Sequence, residues 1–321
     1  MATYLVTGGA GFIGSHLTDA LLAAGHTVRV LDDLSTGVSS NLDLRCTLIR
    51  GDVADDAAVA RAMDGVDGVF HLAAIASVQR GNEAWGETHR VNLSGTVAVL
   101  DRARACGRLP VVYASSAAIY GTVTGVADEA MRPAPRTAYG ADKLGSELHA
   151  QVGWLVHGVP SAGFRFFNVY GPRQDPASPY SGVISIFTRR IVDGRGITVD
   201  GDGRQTRDFV FVADVVLHLL AGMALLHREP GVHVLNVCTG REKSLLQLID
   251  TLAQLTGLTP EITHGPARMG DIARSVGAPE RATALLGVAA TTSLLEGLRS
   301  LVASANPVLE ATGGATSLAG V

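Results

Sequence analysis

Residues 4–14 read YLVTGGAGFIG, a short apolar strand followed at once by a glycine-rich turn. Apolar residues at helical spacing then run on to Leu22, and the pattern stops at Gly25. A glycine turn between a strand and a helix N-terminus forms an anion site, because missing side chains let the backbone approach a pyrophosphate and the helix end supplies N–H donors. The stretch therefore predicts nucleotide binding.

A second strand, residues 27–32, ends at Asp32, and another carboxylate, Asp33, follows it. A carboxylate in this place accepts hydrogen bonds from the ribose of an adenosine. The two carboxylates would repel a 2′-phosphate, and no arginine follows directly to bind one. The pattern therefore favours NAD over NADP as the nucleotide.

The first half of the chain alternates strand-like apolar runs with helical patterns. The predicted strands lie at about 3–7, 27–32, 46–50, 68–72, 110–115 and 161–167, and the predicted helices near 12–24, 54–63, 88–106 and 137–157. Such alternation predicts an α/β fold of the Rossmann type, a doubly wound parallel sheet with helices on both faces. Ligands bind such sheets at the carboxyl ends of the strands. The residues that follow strands three to six are Asp52, Ala73-Ala74, Ser115-Ser116 and Asn168.

The pattern loosens after Asn168, where a loop rich in proline and glycine begins. The elements predicted beyond it are a helix at 183–192, a strand at 207–212, a helix at 214–227, a strand at 232–237 that returns to the sheet, and a mixed, mostly helical region at 244–303. Residues 304–321 are rich in Gly, Ala, Ser and Thr, so a poorly ordered tail is expected there.

Tyr139 and Lys143 form the most informative pair in the chain, because Lys143 is one of only two lysines. They lie four residues apart in a helical pattern, so they share a face. A phenol titrates near about 10, and a positive charge beside it stabilises the phenolate and lowers that pKa. Such a tyrosine can take a proton from a hydroxyl group whose carbon is losing hydride. The alternative is a surface contact with no chemistry.

Composition and charge exclude several classes of protein. Apolar residues make up 47% and charged residues 17% of the 321 residues, which suits a globular α/β enzyme. A net charge of −4 leaves no basic surface for nucleic acid. The histidines form no ligand cluster, so no metal is predicted. Cys46, Cys106 and Cys238 are isolated in the sequence, and they are predicted to be buried apolar thiols. The chain begins directly with a strand and has no apolar run of membrane-spanning length, so a cytoplasmic location is expected.

Three motifs carry a resemblance to a known family: the spacing Gly8-x-x-Gly11-x-x-Gly14, the pair Tyr139-x-x-x-Lys143 and the serines Ser115-Ser116. On these motifs the chain resembles the extended short-chain dehydrogenase/reductase family, over roughly residues 3 to 303. Further stretches make it look most like the NAD-dependent epimerase/dehydratases, and among them the UDP-glucose and UDP-N-acetylglucosamine 4-epimerases. These stretches are 51–53, 71–74, 91–96, 115–121, 165–173 and 207–210.

The resemblance implies a reaction in which the sugar C4 hydroxyl is oxidised and then reduced on the opposite face. Tyr139 would take the C4 proton while the C4 hydride passes to NAD. Lys143 would lower the pKa of Tyr139 and bind the nicotinamide ribose, and Ser116 would bridge the sugar oxygen and the tyrosine. The resemblance also implies a homodimer formed through helices 88–106 and 137–157.

The resemblance further implies which residues contact each ligand, and a division of the chain. The expected NAD contacts are Gly8, Gly11, Phe12, Ile13, Gly14, Asp32, Asp33, Ser35, Thr36, Gly37, Asp52, Val53, Leu72, Ala73, Ala74, Ala76, Asn92, Ser115, Tyr139, Lys143 and Phe167. The expected UDP-sugar contacts are Ser77, Ser116, Asn168, Val183, Arg207, Arg268, Asp271 and Ser275. The NAD-binding domain would comprise 1–167 and 211–239, the nucleotide-sugar lobe 168–210 and 240–303, and the tail 304–321.

Rival activities are distinguished by the residues after the serine. In 4,6-dehydratases and decarboxylases of this family an acidic residue stands there, whereas this chain has Ser116-Ala117-Ala118, so both activities are disfavoured. A UDP-glucuronate 4-epimerase stays open, and a non-catalytic NAD-binding regulator is opposed by the intact Ser116, Tyr139 and Lys143. Ser275 matches a position where a small residue admits N-acetylated sugars. The alternative is that Ser275 faces solvent.

Overall fold

The computed structural model describes residues 1–176, 182–267 and 272–305. Its strands are β1 (Thr3–Thr7), β2 (Thr27–Asp32), β3 (Thr47–Arg50), β4 (Gly68–His71), β5 (Val111–Ser116), β6 (Ser161–Phe166), β7 (Asn168–Tyr170), β8 (Ile197–Asp200), β9 (Thr206–Phe211), β10 (Val232–Val237), β11 (Glu242–Ser244), β12 (Ile262–Gly265) and β13 (Arg274–Ser275). Its helices are α1 (Phe12–Ala23), α2 (Asp56–Met63), α3 (Val78–Glu83), α4 (Trp85–His89), α5 (Gly95–Ala105), α6 (Ala138–His157), α7 (Val183–Val192), α8 (Val212–Arg228), α9 (Leu245–Thr256), α10 (Glu280–Leu286) and α11 (Leu294–Ala305). A π-helical segment, Arg90–Ser94, joins α4 to α5.

Seven strands form a parallel sheet in the order β10-β6-β5-β4-β1-β2-β3. The chain moves from β1 outward to β2 and β3, then crosses over to β4 on the other side of β1. The connections after β1 and β4 therefore diverge, which opens a crevice at the carboxyl ends of these two strands. The predicted α/β fold of the Rossmann type is confirmed.

Both faces of the central strands of this sheet are buried, because adjacent residues of one strand enter different cores, whereas the edge strand β3 is mostly exposed. In β1, Val6 packs with the core that contains Phe70 and Phe164, whereas Leu5 packs with the core that contains Val69 and Tyr113. Helices α1 and α8 contact each other over the first core, and α2, α5 and α6 cover the second. A strand that is buried on both faces reads as a continuous apolar run, which is why these strands were predictable.

A third core lies outside the large sheet, between α7, α9 and α11. Ile184, Leu248 and Leu298 are almost fully buried in it. Strand β9 pairs with β7, β11 and β13, and β8 pairs with β12. The separate core is compatible with the predicted nucleotide-sugar lobe, whose boundaries stay a prediction.

Several predicted boundaries differ from the structure. The helix predicted from residue 88 begins at Trp85 and includes the π-helical segment, and α3 was not predicted. Val212, predicted as the last strand residue, begins α8. Ser304 and Ala305, assigned to the tail, are the last residues of α11, and residues 306–321 lie outside the described part of the chain. No helix in the described part is long and apolar enough to cross a membrane.

Candidate active site

The glycine turn after β1 leaves no room for side chains. Gly8 has φ +69°, and a Cβ atom there would lie 2.7 Å from the backbone N of Ala73. A Cβ atom at Gly14 would contact the carbonyl oxygen of Gly8. Gly11, the N-cap of α1, contributes no capping side chain. This bare cradle at a helix N-terminus fits the pyrophosphate of a dinucleotide.

Asp32 ties the glycine turn to the loop after β2. Its carboxylate accepts a hydrogen bond from the Ala10 N–H at 2.9 Å and another from the Leu34 N–H at 2.9 Å. Burial raises the pKa of Asp32, and these two hydrogen bonds offset part of that effect. Asp33 is exposed beside it and accepts hydrogen bonds from the backbone N–H and the hydroxyl of Ser35. Both carboxylates therefore lie where the hydroxyl groups of an adenosine ribose are expected.

A cavity of about 490 Å³ runs from these carboxylates to the carboxyl end of β5. It is lined by every predicted NAD contact except Asn92: Gly8, Gly11, Phe12, Ile13, Gly14, Asp32, Asp33, Ser35, Thr36, Gly37, Asp52, Val53, Leu72, Ala73, Ala74, Ala76, Ser115, Tyr139, Lys143 and Phe167. Sequence reasoning missed Arg90 and Gln174, which also line it. Arg90 forms an ion pair with Asp52 at 2.7 Å, so the predicted Asp52 carboxylate already has a partner. Arg90 is 38 residues from Asp52 in the sequence, so no local sequence pattern predicts that the two side chains form a pair.

Asn92 does not line this cavity but lies behind its wall, and its predicted contact with the cofactor stays a prediction. The π-helical segment turns its side chain inward, where it is buried. Its Oδ1 accepts from the Ile75 N–H at 2.7 Å, and its Nδ2 donates to the Ile75 carbonyl at 3.1 Å. Asn92 therefore holds the loop after β4, and that loop in turn lines the cavity.

His71, at the end of β4, is held in one tautomer by its neighbours. The Thr7 hydroxyl accepts from the Ala73 N–H and lies 2.8 Å from His71 Nδ1, to which it donates when Nε2 carries the proton of the neutral ring. The Thr96 hydroxyl donates to the Asn92 carbonyl and so accepts from His71 Nε2 at 3.0 Å. Burial, with Lys143 nearby, lowers the pKa of His71 to about 3, so the ring is neutral at physiological pH. The three side chains, Thr7, His71 and Thr96, join β1, β4 and α5 under the cavity.

Tyr139 and Lys143 lie in the first turns of α6, which begins after the N-cap Thr137. The Lys143 ammonium lies 5.8 Å from the centre of the Tyr139 ring and donates to the Ala114 carbonyl at 2.8 Å. Burial lowers the pKa of Lys143 to about 8, although Asp142 acts in the opposite direction. Serine, tyrosine and lysine, predicted as a catalytic group, are thus gathered at one wall.

The sequence predicts that the pKa of Tyr139 is lowered. When only the groups of the protein act on Tyr139, this prediction is wrong. Burial raises the pKa of Tyr139, and a hydrogen bond with Ser116 lowers it only in part. The removal of a phenolate from water outweighs this hydrogen bond. Helical spacing alone does not reveal this burial.

A second cavity, of about 220 Å³, adjoins the first. The two share a wall formed by Ser116, Tyr139, Phe166, Phe167 and Asn168. Further lining residues that sequence reasoning missed are Val78, Ala117, Ala118, Tyr120, Gly121, Val123, Ala127, Ile272, Arg274 and Val276. A group bound in the second cavity therefore contacts Ser116 and Tyr139, and the cofactor cavity lies on the other side of these two residues.

The predicted UDP-sugar contacts divide into three groups. Ser116, Asn168, Arg207 and Ser275 line the second cavity. Ser77 and Val183 do not line it, since Ser77 caps α3 by accepting from the Arg80 N–H and Val183 packs against the third core; their predicted contacts stay predictions. Arg268 and Asp271 lie outside the described residues.

The far side of the second cavity carries two arginines among the described residues. Arg207 donates to the carbonyls of Thr206 at 2.8 Å and Ile272 at 2.6 Å, which fixes its guanidinium. Arg274 makes a bidentate ion pair with Glu242, at 2.8 to 3.0 Å. Anchored guanidinium groups suit the recognition of phosphate oxygens.

The described residues hold no group of three or more His, Cys, Asp and Glu side chains that could bind a metal ion. Cys46, Cys106 and Cys238 are free thiols. Burial raises the pKa of Cys46, which keeps its thiol protonated. Cys238 is fully buried, as predicted, whereas Cys46 and Cys106 are partly exposed.

Comparisons with known proteins agree with this geometry. The sequence model of the NAD dependent epimerase/dehydratase family matches residues 4–238. A UDP-glucose 4-epimerase of Mycolicibacterium smegmatis is 37% identical over 307 residues, which cover 93% of this chain and 96% of the relative. The UDP-glucose 4-epimerase of Thermotoga maritima, solved with UDP-glucose, has a TM-score of 0.90 at 35% identity, covering 96% of this chain and 99% of that one.

A third comparison concerns a protein with a different sugar. The UDP-glucuronic acid 4-epimerase of Bacillus cereus, solved with UDP-glucuronic acid and NAD, has a TM-score of 0.87 at 27% identity. The match covers 95% of this chain and 99% of that one. The chain therefore belongs to the NAD dependent epimerase/dehydratase family, and it is an enzyme that uses NAD.

Proposed function

We propose that the protein is a 4-epimerase of UDP-hexoses, acting on UDP-glucose and UDP-galactose and also on their N-acetylated counterparts. The observation that carries this proposal is the shared wall of Ser116 and Tyr139 between the cofactor cavity and the second cavity. A sugar hydroxyl at this wall would meet both hydroxyl groups while its carbon faces the cofactor. The similarity to UDP-glucose 4-epimerases supports the same reaction.

The side chains at this wall divide the proton chemistry among them. Tyr139 takes the proton of the C4 hydroxyl and later returns it, with Ser116 in contact with its phenol oxygen. Lys143, held by the Ala114 carbonyl, favours the phenolate by electrostatic attraction. When bound, NAD supplies the acceptor and then the donor of the C4 hydride, and a positive charge that also favours the phenolate.

The arginine side of the cavity would receive the diphosphate. Arg207 lines the cavity, and its two hydrogen bonds to backbone carbonyls reduce the entropy that it loses on binding. Arg268 and Asp271, on the neighbouring stretch of sequence, are proposed as further diphosphate and ribose contacts on the resemblance alone. The sugar then lies between Arg207 and Tyr139.

Ser275 supports the extension to N-acetylated sugars. It lies in β13 opposite Arg207 of β9, and it is half-buried at the cavity wall. This position counts against the alternative that it faces solvent. A small side chain leaves space for an acetamido group, and its hydroxyl can bond that group.

A uronate specificity has less support from the charges that line the cavity. Among the described residues, the cationic side chains of the lining are Arg207 and Arg274, and Glu242 already neutralises Arg274. The lining next to Ser116 is formed by Ala117, Ala118 and other uncharged residues. With Arg207 assigned to the diphosphate, a carboxylate buried there would lack a compensating charge among the described lining residues.

A homodimer is proposed from the exposed face of α6. Leu148, Val152, Leu155 and Val156 recur at helical spacing and are 50 to 71% exposed. Such a stripe of large apolar side chains is typical of a helix that packs against another surface. It supports the dimer that the resemblance implies, formed by α6 together with the helical run from α4 to α5.

The proposed function is tested by incubating the purified protein, in parallel, with UDP-glucose, UDP-N-acetylglucosamine and UDP-glucuronate, and by following the C4 configuration by NMR. We expect epimerisation of the first two sugars without added NAD, because the cofactor stays bound. Turnover of UDP-glucuronate alone would establish the uronate specificity instead. Bound NAD without turnover of any sugar would identify a regulator.

A further inference from the structure

Beside the wall of Ser116 and Tyr139 lies a continuous set of buried polar side chains, which we name the Arg165 network; two of its members, Ser115 and Tyr120, also line the cavities. Its members are Ser115, Tyr120, Glu147, Arg165 and Asn236, and each is at most 6% exposed. Buried charges are costly unless they are paired and hydrogen-bonded. An ion pair at this depth is therefore expected to have all its polar atoms hydrogen-bonded, or to serve a function that offsets its cost.

The first part of the network joins the cofactor side to the centre. The Ser115 hydroxyl donates to Glu147 Oε1 at 2.5 Å. Arg165 binds the same carboxylate with two parallel bonds, from Nε at 2.9 Å and from Nη2 at 2.8 Å. Glu147 lies on α6 four residues after Lys143, so one helix face presents the catalytic pair and this anchor.

The second part reaches the substrate side. Arg165 donates through Nη1 to the Tyr120 hydroxyl at 2.9 Å, and its guanidinium lies 5.0 Å from the centre of the tyrosine ring. The Tyr120 hydroxyl donates to Asn236 Oδ1 at 2.7 Å. Burial raises the pKa of Tyr120 to about 12, so its hydroxyl stays protonated and can donate.

Asn236 extends the network to the loop that carries Ala127. Its Nδ2 donates to the Ala127 carbonyl at 2.9 Å, and the Ala127 N–H donates to the Val276 carbonyl at 2.9 Å. The Ala278 N–H also donates to the Ala127 carbonyl. Ala127 and Val276 line the second cavity, and Val276 follows the proposed gate, Ser275.

The network therefore begins at a residue of the cofactor cavity and ends at two residues on the far wall of the substrate cavity. Its members come from β5, β6, β10, α6 and the turn after β5. Each side chain of the network restricts the orientation of the next, because neighbouring members are joined by directional hydrogen bonds.

We propose that Tyr120 and Arg165 are positioning residues, which hold the Ala127–Val276 wall of the hexose pocket at a fixed distance from Ser116 and Tyr139. This inference rests on the proposed function. A rate that depends on the alignment of a hydroxyl with a phenol falls by up to about a hundredfold for a displacement of about 1 Å. The positioning role thus concerns turnover more than binding.

The test compares Tyr120→Phe with Tyr113→Phe. Both changes remove one buried hydroxyl, but the Tyr113 hydroxyl has no hydrogen-bond partner in the described structure and Tyr113 lies on β5, two residues before Ser115. For Tyr120→Phe we expect kcat for UDP-glucose to fall about tenfold or more, while NAD content and the Kd of UDP-glucose by calorimetry stay within about twofold. For Tyr113→Phe we expect wild-type kcat. Equal kcat values for Tyr120→Phe and Tyr113→Phe would overturn the proposal.

A second variant guards against a purely structural effect. Ser115→Ala breaks the opposite end of the network, and the combined variant Ser115→Ala/Tyr120→Phe should lose less than the product of the two single losses, because both break the same path. Strictly multiplicative losses would show that the two ends act independently and would refute the network.

Hydrogen exchange supplies a readout that does not need turnover. The Ala127 and Ala278 amides should exchange faster in Tyr120→Phe than in Tyr113→Phe, and unchanged exchange would refute the inference. If the wild-type protein epimerises no sugar, the proposed function fails, whereas exchange and UDP-glucose binding still test the network.

Discussion

Replacing Lys143 with methionine should stabilise the folded protein and abolish its turnover. Lys143 is 4% exposed, and burial lowers its pKa from 10.5 to about 8. At roughly 1.4 kcal/mol for each unit of pKa, keeping this ammonium charged inside the protein costs about 3 kcal/mol at neutral pH. Methionine fills a similar space without a charge.

The gain is smaller than this cost, because methionine also removes a hydrogen bond. The Ala114 carbonyl loses the bond that Lys143 donates at 2.8 Å, which costs about 1 to 2 kcal/mol when the carbonyl is buried. We therefore expect Lys143→Met to raise the free energy of unfolding at pH 7 by about 1 to 2 kcal/mol.

The pH dependence identifies the cause. The unfolded chain binds the Lys143 proton more tightly than the folded protein, so the destabilisation is complete below about pH 8 and disappears above about pH 10.5. Wild-type stability should accordingly rise with pH across this window, and the advantage of the variant should shrink by about 2 kcal/mol between about pH 7 and 9.5.

The assay is urea unfolding of both proteins after removal of NAD, since a bound cofactor would stabilise them unequally. The upper limit of about pH 9.5 avoids the titration of Tyr139, whose pKa is raised. A variant less stable than the wild type at pH 7, or an advantage that does not change with pH, would refute the reasoning.

Four further variants probe the proposed site and interface. Tyr139→Phe should retain NAD and UDP-glucose binding but lose at least about a hundredfold in kcat; near-normal epimerisation would exclude Tyr139 as the base. Asp32→Ala should weaken NAD more than NADP in a fluorescence titration, because it removes both the ribose acceptor and the repulsion of a 2′-phosphate; equal losses would contradict that role. Ser275→Tyr should abolish turnover of UDP-N-acetylglucosamine and spare UDP-glucose, with Ser275→Ala as the control; equal effects on both sugars would show that Ser275 is not the gate. Leu155→Glu should shift sedimentation from dimer to monomer, because it places a charge in the apolar stripe of α6, and an unchanged dimer would place the interface elsewhere.

The sequence predicted the large sheet well because most of its strands are short runs dominated by apolar residues, such as Tyr4–Val6 in β1 and Val111–Tyr113 in β5. It predicted α3 poorly, since Val78–Glu83 is polar, contains a glycine and lacks helical periodicity. The π-helical segment was also beyond reach, because an inserted residue in a helix leaves the composition unchanged. The short strands β8 and β12 depend on pairing with each other across 65 residues.

The site divides in the same way. The glycine positions follow from a motif because the turn leaves no room for side chains, and Ser116, Tyr139 and Lys143 follow from motifs because the proton chemistry requires those side chains. The direction of the Tyr139 pKa was wrong, since it depends on how deeply tertiary packing buries the phenol. The partners of Asp52 and Glu147 are distant arginines, Arg90 and Arg165, which no local pattern connects to them.

The π-helical segment also limits how this protein can tolerate changes in length. Deleting one residue between Arg90 and Ser94 would restore a regular helix and rotate everything after it by about 100°. Thr96 would then turn away from His71, and Val99 and Ala103 would leave the core that they share with Leu5. Point substitutions at the exposed positions of this segment leave that rotation unchanged. Deletion scanning should therefore find residues 90–94 far less permissive than substitution scanning does.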